Sequence, residues 1–235
     1  MPDIYTKDYI IELLRKAGLH EYKILHSLAV ASLAFKIAKE VEKAGHPIDM
    51  KTVRSGALLH DIGISQTIDD ASPSHAAIGG ELVRKYGYSE EVARCVQDHE
   101  AVVATQEEGK QIGMQMNRDS FLPQTWEEKI VAYADLALFI VSECLREKDF
   151  WENSHCAEKA FFPYLQEVFR KYSTIEVDSK HPFLQREYAF HQEMKKYIKP
   201  EFFEDEEYKK VVGQMHKAQK AYGLKLPFPY AEKLD

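Results

Sequence analysis

Cysteine is scarce in this chain: three among 235 residues. Cys95, Cys144 and Cys156 form no CxxC pair, which argues against a disulfide framework. They read as small core residues or free thiols, as in a reducing compartment. A basic excess is also missing. Against 38 acidic side chains stand 31 lysines and arginines, a formal charge of −7. That balance does not favour nucleic acid or an anionic membrane surface as partner. The most apolar run, Ile130 to Val141, is too short to span a bilayer and contains Asp135. No apolar signal segment follows Met1-Pro2-Asp3, so a cytoplasmic protein is the expectation. Strand-like alternation is scarce as well, and internal repeats and low-complexity tracts are absent.

Apolar residues instead recur at helical spacing almost throughout, which predicts an all-α fold. Helices are expected over about Lys7–Lys16, stopped by Gly18, and over about Tyr22–Ala44, stopped by Gly45. Asp49 is a candidate N-cap for a third helix reaching His60-Asp61. Ser74 and Ser89 are candidate caps for two more, the first running to Tyr86 and the second through His99. Glu107 to Pro123 reads as irregular, a candidate lid or substrate loop. Thr125-Trp126-Glu127-Glu128 is a capping box that launches a helix to about Leu145. After Asp149 aromatic residues and prolines increase, and three short helices are expected. Residues 1–149 thus form one domain, and 150–235 a helical extension that serves as a cap or as an oligomer surface.

Chemistry enters with His60-Asp61, two metal-competent side chains inside the apolar run Gly56 to Gly63. Burying a histidine beside a carboxylate is costly unless a partner compensates, and a divalent cation is such a partner. His26, His75, His99 and Asp135 sit in helical settings of the same kind. Singly, each histidine has a bland reading; His99, between Asp98 and Glu100, fits a solvated charged patch. Asp135 is the hardest to place that way, because Ile130 to Leu138 is otherwise apolar. Together the six supply enough ligands for two ions. Mixed histidine and carboxylate ligation suits iron, manganese, zinc, cobalt or nickel and disfavours calcium.

The ordered set His26, His60-Asp61 and Asp135 resembles that of the HD-domain superfamily of metal-dependent phosphohydrolases. The segments Leu25-His26-Ser27-Leu28, Leu58-Leu59-His60-Asp61-Ile62-Gly63 and Val131-Ala132-Tyr133-Ala134-Asp135 carry the likeness. Ser74-His75-Ala76-Ala77-Ile78-Gly79-Gly80 and Val96-Gln97-Asp98-His99-Glu100 extend it to the two-metal branch. The likeness covers about residues 6–145 and is strongest to small stand-alone prokaryotic, especially archaeal, members.

The resemblance implies a helical bundle with the metal site between helices. One ion would be held by His26, His60, Asp61 and Asp135. A second would be held by His75, His99 and a bridging Asp61. It implies hydrolysis of a phosphate ester or anhydride of a small molecule, a nucleotide being the leading case, with His60 and Asp61 central to catalysis. Many relatives carry a lysine just after the HD-Ile-Gly run, where this chain has Ile64-Ser65-Gln66. Lys110, Arg118 and Gln66 are the substrate-contact candidates, and Glu81 a candidate partner for a ligand histidine. Two alternatives share the ligands: a mixed-valent diiron oxygenase of the myo-inositol oxygenase type, and a non-catalytic nucleotide-binding HD domain.

Overall fold

The computed structural model describes residues 3–67, 75–100, 105–111, 119–144, 162, 165–166 and 178–223, with the backbone alone for 139–144. Among these residues the regular structure is helical and there is no strand. The helices are α1 (Lys7–Ala17), α2 (Glu21–Lys43), α3 (Met50–Leu59), α4 (His75–Lys85), α5 (Glu90–Gln97), α6 (Gln106–Gln111), α7 (Trp126–Cys144), α8 (Pro182–Met194) and α9 (Glu206–Ala221). No helix among the described residues is long and apolar enough to cross a membrane.

Local chemistry accounts for most boundaries. Gly18 ends α1 at φ 90°, a left-handed conformation that glycine adopts without steric penalty. Asp49 accepts the backbone amide of Lys51 at 3.0 Å and starts α3. The capping box before α7 is formed. Thr125 Oγ1 accepts the Glu128 amide at 3.3 Å, and Glu128 Oε2 accepts the amides of Gln124 and Thr125 at 2.6 and 3.4 Å.

Two expectations need correction. The helix after Ser89 ends at Gln97, before His99, and the Ser89 side chain makes no capping bond to the backbone. The segment from Glu107 is not wholly irregular, because α6 occupies its start, tied down by an ion pair from Glu108 to Arg186 at 2.9 Å. After α3 the chain makes a 3-10 turn over Ile62–Gln66. Ser74 lies outside the described residues.

Helix α2 is the axis of the molecule. Its face Ala29, Val30, Leu33, Ala34, Ile37, Ala38 and Val41 is fully buried, and α3, α7 and α9 pack around it. Small alanines on that face let the neighbours approach closely. A second apolar cluster joins α1 to the ends of α3, α4 and α5 through Ile10, Leu14, Leu58, Leu59, Val83 and Val92. The metal-competent residues lie where these two clusters meet.

The described part of the extension packs against this frame. Helix α9 runs antiparallel along α2. Lys36 meets Asp205 (3.3 Å) near its start, and Tyr222 meets His20 (5.2 Å between ring centres) beyond its end. Helix α8 lies on α7, where Tyr133 Oη and His191 Nδ1 are 3.1 Å apart and Lys129 pairs with Glu193 at 2.7 Å. Phe183, Leu184, Met194, Tyr197 and Tyr208 join the larger apolar cluster.

Candidate metal centre

Five structural segments deliver six side chains to one point. His26 comes from the second turn of α2, and His60 and Asp61 from the residues just beyond α3. His75 is the first residue of α4, His99 follows α5 by two residues, and Asp135 lies midway along α7. The chain leaves the α-helix between His60 (φ −52°, ψ −40°) and Asp61 (φ −90°, ψ 5°). That departure lets adjacent side chains converge, although a continuous helix would set them about 100° apart.

The donor atoms face one another closely. His26 Nε2 lies 3.1 Å from His60 Nε2, 2.9 Å from Asp135 Oδ1 and 3.6 Å from Asp61 Oδ2. His60 Nε2 lies 3.5 Å from Asp61 Oδ2 and 3.7 Å from Asp135 Oδ1. On the other side, His75 Nε2 is 3.2 Å from His99 Nε2 and 3.5 Å from Asp61 Oδ1. The two oxygens of Asp61 therefore point to two different groups of histidines. Three overlapping sets have all their donor atoms within 4.8 Å: His26, His60 and Asp61; His60, His99 and Asp135; and Asp61, His75 and His99. His99 thus stands between the two groups.

The residues fit divalent cations. His60 Nδ1 donates to the Ala57 carbonyl at 2.8 Å, and His99 Nδ1 to the Val96 carbonyl at 2.6 Å. Each bond fixes the ring and turns Nε2 into the cluster. Asp135 Oδ1 is buried between His26 Nε2 at 2.9 Å and His60 Nε2 at 3.7 Å. Four imidazoles and two carboxylates packed this closely form a mixed nitrogen and oxygen donor set that suits a divalent transition metal.

Electrostatics differ from one group to the next. Burial works against a charge on His60, but Asp61 beside it outweighs that and pushes the imidazole up to about 9. Burial brings His99 down to about 3, helped by His60 and His75 nearby, and burial also lowers His26. Asp61 is buried too, yet Lys23 and then His60 hold its carboxyl well below the usual range. Asp135 is lowered as well, against its burial, by the approach of His26 and His60.

Two charged residues that do not stand out in the sequence adjoin the cluster. Lys23, one turn before His26, places its ammonium 3.0 Å from Asp61 Oδ2. Glu100 Oε1 lies 3.6 Å from His75 Nε2, and burial pushes its carboxyl up to about 7. Asp98 is fully buried. The stretch Asp98-His99-Glu100 is therefore not a solvated patch. Only the i to i+3 spacing of Lys23 and His26 hints at the lysine in sequence.

The candidates for substrate contact fare differently. Gln66 is exposed at the end of the 3-10 turn. Lys110 is exposed on α6, 3.9 Å from Glu107, and contacts none of the six. Arg118 lies outside the described residues. Glu81 is exposed on α4, and the carboxylate beside His75 is that of Glu100.

A family model for the HD domain matches residues 24–137, a span that contains all six side chains. An uncharacterised protein of Methanocaldococcus jannaschii is 37% identical over 119 residues, 51% of this chain and 68% of that protein. The chain belongs to the HD-domain family. That superfamily comprises metal-dependent phosphohydrolases whose HD domains bind divalent cations.

Other matches cover smaller parts of their relatives. A tRNA (cytidine(56)-2'-O)-methyltransferase of Thermoplasma volcanium is 36% identical over 125 residues, 53% of this chain but 34% of that protein. A ribonuclease Y of Rubrobacter xylanophilus is 36% identical over 103 residues, 40% of this chain and 19% of that enzyme. The chain thus spans about a third of the methyltransferase and about a fifth of the ribonuclease. No solved structure matches it.

Proposed function

We propose that this HD-domain protein hydrolyses a phosphate ester or anhydride of a nucleotide at a dinuclear centre of divalent transition-metal ions. The observation that carries the reading is the placement of Asp61. Its Oδ2 faces His26 and His60, and its Oδ1 faces His75. A carboxylate so placed suits bridging. His26, His60 and Asp135 would complete one site, and His75 and His99 the other. The donor chemistry admits iron, manganese, zinc, cobalt or nickel.

Divalent cations held there would lower the pKa of a bound water and neutralise charge on phosphoryl oxygens. The chain supplies the rest. Carbonyl bonds to His60 and His99 pre-orient their rings, so little reorganisation remains at the moment of reaction. Burial of His26, His60, Asp61, His75 and His99, with Asp135 partly exposed, limits the access of bulk water and strengthens charge interactions there. Glu100 places its Oε1 3.6 Å from His75 Nε2, so a carboxylate stands beside the ligand histidines where it can orient an imidazole or a water.

The nucleotide assignment draws on the relatives. One is named a ribonuclease and another a tRNA methyltransferase. The chain's negative charge favours a small nucleotide over a polynucleotide. The test is turnover by metal-loaded protein of a phosphomonoester, a phosphodiester and a panel of nucleotides. Wild type is expected to hydrolyse at least one of them, and His60→Ala to lose at least about a hundredfold in rate, the scale of a lost catalytic group. Equal rates in the two proteins, or none in wild type, would overturn the reading.

A further inference from the structure

Lys23 is an ammonium in an unusual place. Its side chain is 16% exposed and its Nζ sits 3.0 Å from Asp61 Oδ2, the oxygen that also faces His26 and His60. A positive charge next to a site for divalent cations opposes their binding. The charge is tolerable where an anion completes the arrangement. An ammonium has three donors, and Asp61 takes one of them.

We infer that Lys23 is the phosphate-binding cation of this centre, donating to a non-bridging oxygen of the substrate's phosphoryl group while Asp61 turns to the metals. The other candidates for that contact are less well placed. Lys110 is exposed and beside Glu107, and Gln66 carries no charge. Lys23 shares the α2 face that carries His26, one turn away, so the helix sets the ammonium and the ligand nitrogen in a fixed relation. A lysine acts here as a compact point charge with rotatable donors, suited to following an oxygen as charge builds on it.

The inference rests on the phosphohydrolase reading, and the experiment separates the two. Wild type, Lys23→Met and Lys23→Arg, all metal-loaded, are titrated with inorganic phosphate by calorimetry, and metal content is measured on the same samples. Methionine keeps the length and helix propensity of lysine without its charge, and circular dichroism checks folding. Lys23→Met is expected to bind phosphate about tenfold to a hundredfold more weakly, the loss of one charge-assisted hydrogen bond. Its metal content should be unchanged, and Lys23→Arg should recover most of the affinity. Phosphate affinity equal to wild type in Lys23→Met would overturn the inference while leaving the hydrolase reading intact. A fall in metal content would overturn it too, by showing that Lys23 serves only to position Asp61. Failure of wild type itself to bind phosphate would overturn the inference as well, whereas the hydrolase reading stands or falls on turnover.

Discussion

The backbone of Gly63 rests against the first turn of α4, facing the carbonyl of His75. A Cβ at position 63 would run into that carbonyl oxygen and stand 2.7 Å from the amide nitrogen of Gly79 and 2.8 Å from the carbonyl carbon of His75. The obstacle is backbone, so no rotamer change relieves it. The turn that carries His60 and Asp61 and the helix that begins with His75 are thereby locked together. Glycine is what lets the two groups of histidines share one aspartate.

Gly63→Ala should therefore push α4 outward and move His75 away from Asp61. The substitution should lower stability by about 1–3 kcal/mol, the range for overpacking a tight contact. At about 2–4 °C per kcal/mol for a chain of this size, the melting temperature falls by several degrees. Metal content should drop by about one equivalent, because the group lost is that of His75 and His99. Elemental analysis alongside a thermal melt checks both.

Metal uptake should depend on pH through His60. An imidazole raised to about 9 carries a proton at neutrality, and a cation must displace it from Nε2. Affinity should rise about tenfold per pH unit between pH 7 and 9 and level off above. Calorimetry in buffers of different ionisation enthalpy would count the released proton. In chelated protein the sign reverses. The charge on His60 stabilises the fold fully below the unfolded imidazole pKa of about 6.5, and that stability is lost as pH rises toward 9. The melting temperature of chelated protein should fall over pH 7–9.

Glu100 gives a second pH signature. Its carboxyl is raised to about 7 by burial, so it favours folding below the unfolded carboxyl pKa of about 4.3 and loses that advantage as pH climbs to 7. Glu100→Gln removes the buried charge. Chelated Glu100→Gln should melt higher than wild type at pH 8, and the gap should close toward pH 4. A gap independent of pH would contradict the assignment.

Thr125→Ala tests the capping box that starts α7, far from the metal ligands. Loss of the Thr125 bond to the Glu128 amide should cost about 1 kcal/mol, or about 2–4 °C. Metal content should be unchanged.

Most of this architecture is legible in the sequence, for physical reasons that differ by element. Helical periodicity marks α1 and α2 because each buries an apolar stripe, whereas α3 and α7 read as apolar runs because they are buried nearly all round. The six candidate ligands stand out because polar, metal-competent groups interrupt that apolar pattern, as Asp135 does between Ala134 and Leu136. Lys23 and Glu100 escape notice because charged residues at a helix start or after a helix end are usually solvated, and only the fold shows these two turned inward. The end of α5 at Gln97 is illegible for a related reason. His99 Nδ1 binds the Val96 carbonyl and takes the place of a further helical turn. The contact of Gly63 with His75 lies between segments, so no local pattern records it.

The central claim is that Asp61 joins two metal sites. The most direct measurement is elemental analysis of protein purified without added metal or chelator, wild type beside His75→Ala. About two equivalents per chain in wild type and about one in the variant are expected. About one equivalent in both would contradict the dinuclear centre and leave His75 and His99 without a metal to hold.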